Sequence, residues 1–340
     1  MRHAVTGVIV AAALAAVAPA AVAAEPGATA VVTTCGQVVT EDAALAADLH
    51  CPSGGGIVVD ADDVVVDLVG HTLSGTTTGN GVSADGRDGI VVRNGTVAGF
   101  AIGVALQGGT GARIEALRVE VADNEEASGI LLDGTDDSGV RDNVVVGGGF
   151  GVSLLFSADG NTVVENVTED VEQGVFVVSS SGNQVVGNEM VRNAAGVVLG
   201  QAANRNVVEG NLLLDGLTGI YVDPDANLDN VLRRNVATDH DSAGIFIDEG
   251  TSSTLVIENV ADRNDVGIVV RAPLTTLTAN RANRNNGLGI DAAAGVTDGG
   301  GNVAVGNGDP RECVGVACNV APPTPPDVVV PVRVTPHFTG

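Results

Sequence analysis

The chain has 340 residues, with 42 acidic against 16 basic side chains and a formal net charge of −26; every basic residue is arginine. Such a surface repels nucleic acid and anionic membranes, and a chain without lysine has no lysine-based chemistry. Hydrophobic residues reach 44% but aromatics only 2%, so the interior has to be filled by Val, Leu, Ile and Ala, as in stacks of buried parallel strands.

Residues 1–24 read as an export signal. Arg2 supplies the positive start, Val5 to Val17 form an Ala/Val-rich stretch, and Ala21-Val22-Ala23 fits a small-residue cleavage site. Pro19 interrupts the stretch, and no later segment is long and apolar enough to span a membrane. The expected location is therefore secreted, in the extracellular space. Residues 25–34 follow as an N-terminal extension. Four cysteines fall in two end regions, Cys35 with Cys51 and Cys313 with Cys318. Pairing neighbours closes two short loops in an oxidising compartment. Spacing alone leaves other pairings open, although a rod of about ten coils holds its ends roughly 45 Å apart, beyond disulfide reach.

Between these ends a glycine followed by Ile or Val recurs nine times, at Gly103, Gly129, Gly151, Gly174, Gly196, Gly219, Gly244, Gly267 and Gly289, in steps of 22 to 26 residues. A fixed period of this size with β-branched cores signals a solenoid, one coil per repeat. An asparagine recurs in phase eight or nine residues before the glycine, at Asn94, Asn143, Asn166, Asn188, Asn211, Asn235, Asn259 and Asn280, with Leu117 breaking the series. Five residues earlier stand Asn161, Asn183, Asn206 and Asn230, and the spacing returns at Asn302 and Asn307. One coil thus reads as strand, Asn turn, short strand, loop, glycine strand, loop. Coils about 4.8 Å apart place equivalent amides one hydrogen bond from each other, so the asparagines form inward ladders. The sequons Asn94-Gly-Thr96 and Asn166-Val-Thr168 fall in the same column and are read as inward amides, and Ser180 as an exposed loop residue. The six Phe and single Tyr are read as fillers of wider coils, with the facing of Phe176 and Phe246 left open and no pair set to stack on a sugar ring.

Candidate chemistry gathers four residues after the glycine, at Asp133, Asp223, Asp248 and Arg271. The last three lie on successive coils, and carboxylates on adjacent or alternate coils, about 5 or 10 Å apart, bracket the spacings of retaining and inverting glycosidases. His240, the one histidine inside the repeats, completes a candidate catalytic set of Asp223, Asp248, His240 and Arg271. The alternating oxygens of Asp223, Asp225, Asn227 and Asp229 form a candidate Ca²⁺ site. Leu228 replaces the glycine of an EF-hand loop, and Arg234 stands where its bidentate Glu belongs, so the loop is not an EF-hand. No other cofactor is implied.

The Asn ladder, the Gly-Ile-x-Val strand and the period resemble the right-handed parallel β-helix repeat of the pectin-lyase-like superfamily, including its NosD-type repeat proteins. Cys35-Gly36-Gln37 through Cys51-Pro52 and Val64-Val65-Val66-Asp67-Leu68-Val69-Gly70-His71-Thr72-Leu73 resemble the opening coils of secreted bacterial members. Gly306-Asn307-Gly308-Asp309-Pro310, before Cys313, resembles their close. The resemblance covers residues 35–318. The expected fold is all-β, a single-stranded right-handed parallel β-helix solenoid of about ten coils with disulfide-closed caps, followed by a Pro-rich disordered tail at 319–340. This superfold hosts lyases, hydrolases, epimerases and proteins without chemistry. The expectation is a monomeric scaffold or carbohydrate-interacting protein without demonstrated catalysis, meeting extracellular polysaccharide. The alternative is a polysaccharide lyase or glycoside hydrolase working through carboxylates near Asp223 and Asp248. A role in copper-site maturation rests on the NosD-type resemblance alone, without a Met- or His-rich tract.

Overall fold

Among the described residues each strand pairs with its equivalent in a neighbouring coil, on both sides except at the ends, and every pairing is parallel. The computed structural model describes residues 29–122, 124–224 and 228–320. The export signal and almost all of the Pro-rich tail lie outside the described residues. The glycine strands stack into a sheet of 13, one strand per coil, from Gln37–Val39 to Cys313–Val314. This gives a rod of about 12 turns rather than about ten. The difference arises because the glycine column begins earlier, at Gly56-Ile57 and Gly81-Val82, whose strands pair in register with Gly103-Val104. Pairing also starts ahead of residue 35, with Ala30–Val32 on Ala43–Leu45.

The shorter strands form two further ladders, linked into one sheet where Val91–Ala98 and Arg113–Glu120 run through both. In later coils the same path is broken into pairs such as Thr162–Val164 and Val167–Glu169. The bend between the two ladders is a corner residue in the left-handed region, Asn94 and Ala116 within the two continuous strands and Glu165 between the paired short ones. Three corners recur per coil in mid-rod, for instance Arg205, Gly210 and Asp215 at φ 53, 64 and 55°, and then Asp229, Arg234 and Asp239 at φ 55, 55 and 65°. Residues other than glycine adopt this conformation at a cost of roughly 1–2 kcal/mol. After each corner the next side chain points inward, and there the asparagines sit.

Three amide columns result. The first is Asn161, Asn183, Asn206 and Asn230; the second runs unbroken from Asn143 to Asn302; all are essentially buried. In the second, the Asn188 Nδ2 donates to Val163 O (2.9 Å) and to Asn211 Oδ1 (3.0 Å). Its Oδ1 accepts from the Asn166 backbone N–H (2.9 Å) and Nδ2 (3.0 Å). The amides thus satisfy backbone groups that a bent strand leaves without ladder partners. A third column, absent from the sequence reading, follows five residues on at Asn193, Asn264, Asn285 and Asn307.

Two inward assignments change. Asn94 is itself a corner residue (φ 58°), is exposed, and donates to Asp67 at 3.1 Å; Gly95 takes the inward place and pairs with Leu117. Asn166 is buried as expected. Ser180 is not an exposed loop residue: it is fully buried, and its hydroxyl donates to Val178 O while accepting from the Ala158 N–H.

The interior is a continuous stack of Val, Ile and Leu. Of the described aromatics, Phe100 fills it, while Phe150, Phe156, Phe176, Tyr221 and Phe246 are at least partly exposed. Cys35–Cys51 and Cys313–Cys318 are disulfides, as pairing of neighbours implies.

Candidate functional site

In a glycine strand the residues one and three after the glycine face the core, as Ile220 and Val222 or Ile245 and Ile247 do, all at 0% exposure. Strand alternation then turns the second residue outward. That column reads Ser153, Phe176, Val198, Tyr221, Phe246, Val269 on successive coils. Phe176 and Phe246 therefore face out, and of the described aromatics only Phe100 is a coil filler. Val198 and Val269 keep only 5% exposure although they lie outside the core, so the column forms the floor of a recess walled by loops. Tyr221 and Phe246 are neighbours with ring centroids 5.7 Å apart and planes tilted by 56°. Farther along, Phe150 stacks on Phe176 at 5.1 Å and 21°. Phe156, at the exit of its strand, is 60% exposed.

The recess deepens into a cavity of about 400 Å³ with Tyr221, Phe246, Ala195 and Thr218 on its surface, Leu217 and Glu172 on one side and Asp248 on the other. The Tyr221 hydroxyl donates to Asp248 Oδ2 at 3.1 Å, and the other carboxylate oxygen accepts the Glu249 backbone N–H at 2.8 Å. The aromatic wall is thus fixed to the acid beside it. A second cavity of about 370 Å³ shares Glu172 and Ala194 with the first and reaches back to Asn124, Glu125 and Arg192. Together they make a trough along the rod axis.

Asp223, Asp248 and Arg271 do fall on one column, donating their backbone N–H groups to Leu199, Val222 and Ile247 of the preceding coils. Their side chains part company. Asp248 lines the trough, Asp223 leans over Gly200, and Arg271 turns to the next coil and pairs with Asp291 at 2.7 Å. His240 is not in the trough. It is 3% exposed, its Nδ1 accepts the Gly216 N–H (3.1 Å), and its Nε2–H donates to Leu213 O (3.2 Å). These are the bonds that Asn264 makes one coil later, so His240 is a rung of the third amide column. Burial lowers its pKa below the usual histidine value, ahead of opposing hydrogen bonds to Leu213 and Gly216. Of the candidate calcium ligands, Asp225 and Asn227 lie outside the described residues. Asp229 is an exposed corner residue, and no group of three or more His, Cys, Asp or Glu is placed to hold a metal among the described residues.

The sequence reading missed Tyr221, Phe246, Gln173 and Thr218. For the two rings the signal was present: the strand's period of two, anchored on the buried residue after each glycine, points Tyr221 and Phe246 outward, whereas Gln173 and Thr218, one residue before their glycines, share the parity of the inward residues and only the structure shows them half-exposed.

The profile of a family described as periplasmic copper-binding protein (NosD) matches residues 56–220 and, overlapping, 122–286. No curated protein matches significantly. Among solved structures, the periplasmic alginate epimerase AlgG superposes with a TM-score of 0.57 at 13% identity over 77% of this chain and 73% of that one. The A-module of the Azotobacter vinelandii mannuronan C-5 epimerase AlgE4 gives 0.54 at 16% over 84% and 90%. The catalytic domain of a GH87 alpha-1,3-glucanase in complex with nigerose gives 0.53 at 12% over 86% and 63%. At such identities the likeness establishes the right-handed β-helix and nothing finer.

Copper, which the family description names, finds no donor set among the described residues. The cysteines are oxidised, Met190 is 1% exposed within the core, both ring nitrogens of His240 are engaged, and His50 and His71 belong to no group of three or more His, Cys, Asp or Glu that could hold a metal. Cu(I) selects free thiolates and thioethers, and Cu(II) free imidazoles. The described residues do not fit it.

Proposed function

This chain belongs to the NosD family, and from that premise we propose an exported carbohydrate-binding rod whose ligand, a glycan chain, lies along the glycine-strand face over Tyr221 and Phe246. The carrying observation is the placement of the aromatics. In a chain with 2% aromatic residues, Phe176, Tyr221 and Phe246 share one outward column and Phe150 stacks on Phe176. The half-buried rings leave apolar area in water unless an apolar surface covers it, and the CH faces of sugar rings are such a surface. Asp248, Thr218 and Ser242 on the same wall supply the few polar groups that orient a ligand in an otherwise apolar pocket. The similar solved structures are titled as alginate or mannuronan epimerases and a glucanase, which agrees with a polysaccharide ligand. Two disulfides suit an oxidising compartment, and residues 1–24 would carry the chain there.

A second reading, catalysis, is favoured by one contact. The Tyr221 hydroxyl on the Asp248 carboxylate is a proton-handling pair at the cavity wall. Binding without turnover is the reading here, because His240 is buried in an amide column outside the trough and Arg271 is paired with Asp291. The test is incubation with uronate-rich and neutral polysaccharides, with and without Ca²⁺, following new reducing ends and the ultraviolet absorbance of unsaturated products. Retention on a glycan matrix that is lost in Tyr221→Ala, without product, is expected. Turnover that disappears in Asp248→Asn would establish the enzyme instead.

A further inference from the structure

The rings on the glycine-strand face form two platforms. Phe150 stacks on Phe176, with centroids 5.1 Å apart and planes at 21°, and Phe246 lies against Tyr221 at 5.7 Å and 56°. All four rings are partly exposed. In the outward column Phe176 and Tyr221 stand two coils apart, with Val198 on the coil between them. Neighbouring strands of a sheet repeat at about 4.8 Å, so the two positions lie about 10 Å apart along the rod. Between the platforms the floor is low. Val198 keeps 5% exposure, and the cavity surface beside it is made by the short side chains of Ala194 and Ala195.

This interval discriminates between glycan chains by their linkage. Where both bonds to each ring are equatorial, as in β-1,4-linked glucose or mannose, the chain is a straight ribbon and each ring is turned over relative to the last. Rings two apart then present the same CH face, at an interval close to that of two coils. An axial bond, as in α-1,4-linked glucose, bends the chain into a coil whose rings leave a straight line within a few units. Straightening it would cost conformational freedom that the ribbon has already given up.

We propose that the trough selects straight, equatorially linked glycans of at least three rings. The first and third rings cover the Phe150–Phe176 and Tyr221–Phe246 platforms, and the middle ring passes over Val198. This rests on the carbohydrate reading above and deepens it from a glycan to a linkage class. Once one ring is seated, the second platform is reached within the same chain, so its contact is gained without a second loss of translational freedom.

The experiment is calorimetric titration with β-1,4-linked glucose and mannose oligomers of two to six units, and with α-1,4-linked glucose oligomers of the same lengths. Affinity for the β-linked series is expected to step up about 10-fold between the disaccharide and the trisaccharide, where the second platform is first reached, with smaller gains beyond. The α-linked series should show no step. In Phe176→Ala, checked by unchanged thermal unfolding, the β-linked trisaccharide should bind no better than the disaccharide; the length and linkage comparisons on the wild type need no substitution. Binding that needs Tyr221 but is equal for the two linkages, or that rises with length without a step, would overturn this proposal and leave the carbohydrate reading standing. No binding of any oligomer would overturn both. Binding that survives both Phe176→Ala and Tyr221→Ala would place the glycan elsewhere on the rod, and would also overturn both.

Discussion

His240 shows how one side chain can belong to a column of another type. Its two nitrogens reproduce the acceptor and donor of a ladder amide, so His240→Asn should preserve both bonds, whereas His240→Ala leaves the Gly216 N–H and Leu213 C=O unmatched. Urea unfolding near pH 7.5 is expected to show little change for the first and a loss of about 1–3 kcal/mol for the second. Burial lowers the folded-state pKa of His240, so the unfolded chain binds the proton more readily. Its contribution is complete above the unfolded value of about 6.5 and is lost as pH falls below it. His240→Asn should therefore gain on the wild type between about pH 6.5 and 5, and equal pH profiles for the two would show that the ring is not buried neutral. Asn188→Ala, which removes four bonds to neighbouring coils, should likewise cost about 1–3 kcal/mol in the same assay.

At the scale of the coil, stability turns on corners and close approaches. Ala116 holds the left-handed conformation (φ 52°) that a Cβ disfavours. Ala116→Gly should relieve that strain and raise stability by up to about 1 kcal/mol after glycine's larger unfolded-state entropy. Gly196 poses the opposite case, since an added Cβ would sit 2.7 Å from Gly219 O and against Leu213. Gly196→Ala should cost about 1–3 kcal/mol by overpacking; a neutral result in chemical denaturation would mean the coils are farther apart than they stand here. These constraints explain what the sequence made legible. The glycine column and the second amide column repeat in nearly every coil because stacking demands them, so period and phase could be read directly. The third column was hidden because Gly216 interrupts it and His240 stands in for an amide. Asn94 misled by one residue, since corner and inward positions are adjacent and Asn suits both. The trough stayed unseen because its aromatics repeat in no fixed step, and their outward facing follows only once Ile220 and Ile245 are known to point in.

Over the whole molecule, the stacked coils turn short local strands into one long surface. The core is sealed by side chains one and three after each glycine, the corners by amides, and the ends by the two disulfide loops. This leaves the outer face of the glycine sheet free to vary, and there Phe176, Tyr221 and Phe246 line up. The central claim, that this face holds a glycan, has a built-in reporter: the chain contains one tyrosine and no tryptophan, and that tyrosine is Tyr221 in the trough wall. Its emission should change and saturate when oligosaccharides are titrated in. Affinity should rise with chain length until the trough is filled, and Phe246→Ala should weaken it by about 10-fold, within the 0.5–1.5 kcal/mol range of an aromatic contact plus its lost buried area. Tyr221 emission that stays constant through saturating neutral oligomers, while the protein remains folded, would contradict the account.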